Sequence, residues 1–395
     1  MKVVAFVGET FQQYENQCFT KPTSVAFLQD TFGEGNVYAA SSAINVSERP
    51  TSYSTKVQGE KFYAFPSYDS TKSFLVRSLL SKGFLKSYIQ KSDEIIAKHQ
   101  GDLFWIRTPS IGSIVFGLRV LKHEQTLLHH MCADASNTWK DAKYKGVSKL
   151  LAFITSRFLR VLLKKICGHA KTINFCTGDV LERFSKQYSS NTFQFVDVMI
   201  KSVDTSNFSR TKRKDNRKKL LFVGRMVEDK GIFDLIDALD ELKENYTLTF
   251  VGDGPDFSKA KQTVAQKKLD DTIQFTGQLP HSALAELFYS TDLVVVPSNN
   301  NYEGFPRVIM EAWSFNKPVI VSNVGGINAF VKNNENGLII GPGNVSELKQ
   351  ALMACRDDSC YQELCIGARG MANKSLQSYW INLLKKKVIS AHVTS

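Results

Sequence analysis

From Lys219 onward the chain alternates between short apolar runs that end in Gly, Pro or Ser and longer stretches of helical period. No other feature limits the fold so tightly. Strands separated by helices must run parallel, and a parallel sheet needs helices over both faces. The runs predict strands at Leu220 to Val223, Thr247 to Val251, Thr272 to Phe275, Leu293 to Val296, Val319 to Val321 and Leu338 to Ile340. Between the first two, Ile232, Leu235, Ile236, Leu239 and Leu242 recur at steps of three and four and give one apolar helix face.

The first half repeats the theme less cleanly. Strands are expected at Val3 to Val7, Val37 to Ala40, Leu103 to Ile106, Thr126 to His129 and Thr172 to Phe175, with helical stretches between several of them. A second Rossmann-like domain is the economical reading. Between Ser209 and Lys219 lie seven cations and one Asp with no apolar residue to bury, and the domain boundary is placed near there.

The 395 residues suffice for two domains, and 43% hydrophobic content excludes a disordered chain. The net charge of +12 favours phosphate-bearing partners. The basic run lacks interleaved aromatics or a docking motif, so nucleic acid is set aside as a partner. Seven scattered cysteines, with no Cys-x-x-Cys pair, argue against a metal site and fit a reducing compartment. The N-terminal apolar run is too short for a secretory signal, and every other run is broken before the roughly 20 residues of a membrane span. A cytoplasmic location is the default expectation.

The helical segment Ser148 to Gly168 gathers Lys149, Arg157, Arg160 and Lys164 within about one quadrant, with seven apolar residues over much of the remainder. Such a helix fits an anionic membrane surface, and equally a core helix with a charged outer face.

Ligands of parallel α/β sheets lie at the carboxyl ends of the strands. There the sequence places V-G-R-M-V-E-D-K-G, with Gly224, Arg225 and Lys230, and the G-D-G-P turn of Gly252 and Gly254. Two cations beside a helix N-terminus suit a diphosphate. E-G-F-P-R-V-I-M-E sets Glu303 in a loop and Glu311 some two turns inside the next helix. Two carboxylates so spaced reach different hydroxyls of one extended ligand, while Gly304 allows backbone approach and Phe305 and Pro306 fix the turn.

From about Lys219 to Leu352 the chain resembles the donor-binding domain of retaining glycosyltransferases of GT-B architecture, family 4-like and group 1 in type, which build bacterial polysaccharides and glycolipids. The motifs run in order: F-V-G-R-M-V-E-D-K-G, F-V-G-D-G-P, F-T-G-Q-L-P, D-L-V-V-V-P-S, E-G-F-P-R-V-I-M-E-A-W, K-P-V-I-V-S-N-V-G-G and N-G-L-I-I. The resemblance implies an α/β fold of two Rossmann-like domains with parallel sheets facing across a cleft. It implies an acceptor domain over residues 1–205, a donor domain over 206–365, and helices over 366–395 that return to the first domain.

By the same resemblance Arg225 and Lys230 hold the donor diphosphate, Glu311 bonds the ribose, and Glu303 with the Gly304 to Pro306 backbone holds the sugar. Gly277, Gln278 and Leu279 flank the base. Gly8 is a loose equivalent of the family's paired-Gly turn. His129 and His130 follow a middle strand where the family places a His facing the donor sugar, and His130 is assigned that role beside Arg225, Lys230 and Glu303 as catalytic residues.

No Asp-x-Asp pair occurs, so no metal or other cofactor is expected beyond the UDP- or GDP-sugar donor itself. The implied reaction transfers a hexose-type sugar, with retention, to a saccharide or polyprenyl-linked glycan in O-antigen, capsule, lipopolysaccharide or exopolysaccharide assembly, at the inner membrane face. The competing readings are a sugar-nucleotide epimerase or phosphorylase of the same fold, and a non-catalytic nucleotide-sugar-binding scaffold.

Overall fold

Ten strands of the first half pair into one sheet: β1 (Val3–Phe6), β2 (Phe11–Tyr14), β3 (Gln17–Thr20), β4 (Val37–Asn45), β5 (Thr55–Gln58), β6 (Phe62–Phe65), β7 (Leu103–Thr108), β8 (Leu127–Met131), β9 (Thr172–Cys176) and β10 (Thr192–Gln194). The computed structural model describes residues 1–50, 53–140, 144–206, 208, 216–300 and 303–393. The order is β10-β9-β8-β7-β1-β4-β2-β3-β5, with β6 also on β4. From β10 to β4 every pairing is parallel. β2 and β3 form an antiparallel hairpin over the two-residue turn Glu15–Asn16, with Glu15 at φ 50°.

Five of the ten match the apolar runs expected from sequence. Of the other five, β2, β3, β5 and β10 mix polar with apolar residues and do not read as buried strands, while β6, FYAF, is a short aromatic run that the sequence reading did not assign. FQQY and QCFT lie inside the sheet, between β4 and β5; β2 buries only Phe11, whereas β3 buries Cys18, Phe19 and Thr20 in succession.

Helices α1 (Ser24–Phe32), α2 (Thr71–Leu80), α3 (Lys82–Lys98), α4 (Ile111–Lys122), α5 (Gly146–Cys167) and α6 (Asp179–Lys186) connect these strands. Phe6, Phe65, Tyr88, Phe104 and Phe116 pack one side of the sheet against α3, α4 and α5, where Leu159, Leu163 and Ile166 close the core.

The second sheet holds β11 (Lys218–Val223), β12 (Tyr246–Val251), β13 (Ile273–Phe275), β14 (Leu293–Val296), β15 (Val319–Ser322) and β16 (Gly337–Ile340), all parallel, in the order β13-β12-β11-β14-β15-β16. That is the 3-2-1-4-5-6 order of a Rossmann fold. Each strand lies within two residues of its expected bounds. Its helices are α7 (Ile232–Leu242), α8 (Phe257–Gln266), α9 (His281–Ser290), α10 (Arg307–Ser314), α11 (Val345–Ala354) and α12 (Asp358–Gly370). The face predicted for α7 is the buried one, with Ile232, Leu235, Ile236 and Leu239 fully inside.

Two compact units result. One comprises Met1–Met199, the Glu303–Gly304 dipeptide and the chain from Trp380 onward, and the other comprises Ile200–Asn300 with Phe305–Tyr379. The returning segment therefore begins at Trp380, not 366. Leu364 of α12 belongs to the second unit's core, whereas Trp380 of α13 (Gln377–Val393) sits 6.0 Å from Phe195 in the first. The second unit begins a few residues before 206, and most of the basic run from Ser209 lies outside the described residues.

Candidate functional site

In the second unit the connections leave to opposite sides of the sheet between β11 and β14, and the carboxyl ends of those strands are the switch point at which ligands of such sheets bind. The loop after β11 runs into it through Gly224, Arg225 and Met226. Met226 is fully buried and anchors the loop, while Arg225 is exposed. A short 3₁₀ turn, Glu228–Lys230, carries half-buried Lys230 to the start of α7.

Backbone crowding at this edge dictates the glycines. Gly231 has φ 72°, and a Cβ there would lie 2.0 Å from the Pro297 carbonyl oxygen at the end of β14. Gly252, at φ 134°, would place a Cβ 1.8 Å from the Gly224 carbonyl oxygen. Only glycine fits either point. A Cβ on Gly254 would likewise lie 2.3 Å from the Met226 carbonyl oxygen, and Gly252 N–H donates to the Gly277 carbonyl at 2.9 Å. The loops after β11, β12 and β13 are therefore one packed backbone layer. On it stand Arg225, half-buried Leu279 and exposed Gln278.

Asn299 ties the β14 loop to this layer. Its N–H donates to Asp229 O at 2.8 Å and its side chain donates to Asp234 Oδ2 at 2.5 Å. The first turns of α7 and α10 both lack a side-chain cap; their N-caps are Gly231 and Pro306. Amides at such ends are the donors that an anion can take. Phe305 is buried against Phe330 and Trp313, at ring distances of 5.0 and 6.2 Å, and Pro306 is buried beside it. α10 starts at Arg307, so half-buried Glu311 stands about one turn inside the helix, not two. Trp313, fully buried, donates from Nε1 to Asn336 O at 3.0 Å and is a core residue.

Glu303 and Gly304 are held by the first unit. Glu303 makes a β-bridge to Ala133, and a Cβ on Gly304 would lie 2.4 Å from Cys132 O and 3.0 Å from Thr177 O. The dipeptide thus lies at the carboxyl ends of β8 and β9. Gly8, at φ 69°, follows β1 and presses against Ser110 before α4.

Both candidate histidines are fully buried on β8. His129 Nδ1 donates to Asn174 Oδ1 at 3.0 Å, because that amide's nitrogen is engaged with Cys167 O, and Nε2 accepts from Thr108 Oγ1 at 2.9 Å. Burial, opposed by the bond to Asn174, lowers its pKa to about 4, so the ring is a neutral core element. His130 packs among Trp105 and Phe195, with ring distances of 5.3 and 5.1 Å. Its Nε2 donates to Thr177 Oγ1 at 3.0 Å, whose hydroxyl in turn donates to Phe195 O. Beneath His129 the Cys167 sulfur lies 3.7 Å from the Met131 sulfur, and Cys176 lies 3.9 Å from it on another side. Burial pushes the Cys167 thiol up to about 12.

A polar cluster that the sequence reading passed over occupies the same edge of the first sheet. Glu9 accepts from Thr20 Oγ1 at 2.8 Å, Thr23 Oγ1 at 3.0 Å and Arg107 Nη1 at 3.3 Å. Cys132, and then the carboxylates of Asp197 and Glu9, raise the Arg107 pKa against the effect of burial. The available signal was a charged residue at the very end of an otherwise apolar strand, in A-F-V-G-E and F-W-I-R-T.

Residues 203–366 match the family described as glycosyl transferases group 1. A glycogen synthase of Mycobacterium tuberculosis is 33% identical over 142 residues, which are 35% of this chain and 34% of that protein. An uncharacterized glycosyltransferase of Methanocaldococcus jannaschii, MJ1607, is 30% identical over 203 residues, half of each chain. This chain thus spans a third to a half of the length of the curated relatives it matches.

Among solved structures, sucrose-phosphate synthase from Thermosynechococcus elongatus superimposes with a TM-score of 0.69 over all of both chains at 16% identity. Anabaena HepE in complex with UDP gives 0.66 over 99% of this chain and all of that one at 17%. These likenesses show the fold: outside the group 1 region too, the chain is GT-B, two α/β units built on parallel sheets.

Proposed function

We propose that the chain is a retaining, metal-independent glycosyltransferase that moves a hexose-type sugar from a UDP- or GDP-sugar to a saccharide or polyprenyl-linked glycan in cell-surface polysaccharide assembly, at the inner face of the cytoplasmic membrane. One observation carries the reading. Arg225 and Lys230 stand at the switch point of the 3-2-1-4-5-6 sheet, on a glycine-only backbone layer, beside an α7 N-terminus with no side-chain cap. Two cations and a helix dipole can neutralise a leaving diphosphate without a metal. HepE has been solved with UDP and with UDP-glucose, which supports a nucleotide-sugar donor for the same fold.

In this mechanism the glycosidic bond to the diphosphate breaks first and leaves an oxocarbenium-like sugar. A diphosphate oxygen on the same face takes the acceptor hydroxyl's proton, and the new bond forms with retained configuration. Glu311 would grip the ribose, Gly277 to Leu279 the base, and Glu303 with the Gly304 to Pro306 backbone the sugar.

A thermal-shift panel of nucleoside diphosphates tests the site: the cognate one, at 100 times its Kd, stabilises by about 2.7 kcal/mol. Arg225→Ala or Lys230→Ala should abolish that shift and lower turnover about 10²- to 10³-fold, with turnover unaffected by EDTA. Unchanged turnover in both variants overturns the assignment, and loss of turnover in EDTA overturns its metal independence.

A further inference from the structure

Helix α5 presents an apolar stripe to solvent. Val147, Leu150, Leu151, Ile154, Phe158 and Val161 are between 44% and 75% exposed. On a helical projection they fall within an arc of about 100°. The helix is seated on the first unit by a different face, through Ser156, Leu159, Leu163, Ile166 and Cys167. The sequence reading offered a membrane surface or a core helix with a charged outside. The structure separates a third face, since the apolar residues divide into a buried set and an exposed set.

The cations line one flank of the exposed set. Lys149, Arg157, Arg160 and Lys164 each lie over an aromatic ring, respectively Trp139, Phe153, Phe184 and Tyr188, at 4.8 to 5.9 Å. These contacts hold the charges in a row along the stripe. With Lys165 the helix carries five cations, and its 22 residues include no Asp or Glu. Among the described residues no helix is long and apolar enough to cross a membrane.

We propose that α5 is a membrane-docking helix that lies in the headgroup layer of an anionic bilayer, with the Val147 to Val161 stripe in the acyl boundary and the cation row on lipid phosphates. Charge decides the occupant. A second copy docked by a two-fold axis on this face would set five cations against five others, an unfavourable pairing. A sheet of negative headgroups over an apolar layer matches both halves of the surface. The inference specifies the surface behind the membrane location proposed above, and it stands without the transfer reaction because it is read by binding alone.

The test is co-sedimentation of the full chain with vesicles of phosphatidylcholine, alone or with about 30% phosphatidylglycerol, at low and high salt. The chain is expected to pellet with the anionic vesicles and to be released by salt. Ile154→Asp with Phe158→Asp should weaken binding at least tenfold at an unchanged thermal midpoint, since both positions are exposed. Arg157→Gln and Lys164→Gln should each cost about fivefold. Equal recovery with neutral and anionic vesicles, or unchanged binding by the double variant, overturns the proposal. So does a dimer in solution that Ile154→Asp converts to monomer, because the face then belongs to a second copy.

Discussion

The two sheets solve the same problem, an exposed edge of parallel strand ends, by different means. In the second unit the edge is backbone: Gly224, Gly231, Gly252 and Gly254 let the loops after β11, β12 and β14 touch main chain to main chain. In the first unit the edge is side chain: Glu9, Arg107, Thr20, Thr23, His130 and Thr177 interlock through hydrogen bonds. A backbone layer tolerates no added carbon but leaves its projecting side chains for a ligand. A side-chain lattice pairs most of its polar atoms with one another, with Arg107 Nε buried outside it, so its residues are first of all structural.

Substitution at the backbone layer should give the largest effect. Gly252→Val forces a side chain into the Gly224 carbonyl from a left-handed backbone, and the second unit should lose 3 kcal/mol or more, about the sum of strain and overpacking, or fail to fold. Urea unfolding followed by a probe in that unit measures it; a loss below 1 kcal/mol would break the contrast. In the first unit, Trp380→Ala empties a fully buried site against Phe195 and should cost about 3 to 5 kcal/mol. The second unit's transition should keep its midpoint.

Acid should act on the first unit through His129. The folded pKa is lowered from 6.5 to about 4, so the unfolded chain takes a proton that the folded unit refuses. Stability is intact above pH 6.5 and falls by up to about 1.4 kcal/mol per pH unit between 6.5 and 4. His129→Gln should flatten the slope by that amount in denaturation curves taken across the window. The smallest effect is reserved for Gly277→Ala. Its φ is 70° but nothing lies within 4 Å of the new carbon, so the penalty should be about 1 kcal/mol from the backbone alone.

How legible each unit was in the sequence follows from the same contrast. Strands such as LVVV and VIVS are buried on both sides, so the chain must be continuously apolar there and announces itself. Glycines forced by backbone contact are as visible, since Gly224, Gly252 and Gly254 punctuate the ends of apolar runs. Half-polar strands such as FQQY, where only Phe11 is buried, carry no such demand, and the hairpin is not legible from sequence. Glu9 and Arg107 are far apart in sequence, and nothing local says that β1 and β7 are neighbours. In sequence Glu303 shares one continuous motif with Glu311, yet a β-bridge to Ala133 fixes it to the other unit, a partner chosen by folding alone.

All seven cysteines are free thiols, four in one unit and three in the other, and Cys167, Cys176 and Cys355 are sealed in the two interiors. Their acidity is suppressed by burial, Cys167 and Cys355 each to about 12, so alkylating reagents meet almost no thiolate until a unit opens. Pulse labelling followed by peptide mapping would therefore run as two internal clocks, one per sheet, timing the breathing of each half of an unmodified protein in a single tube.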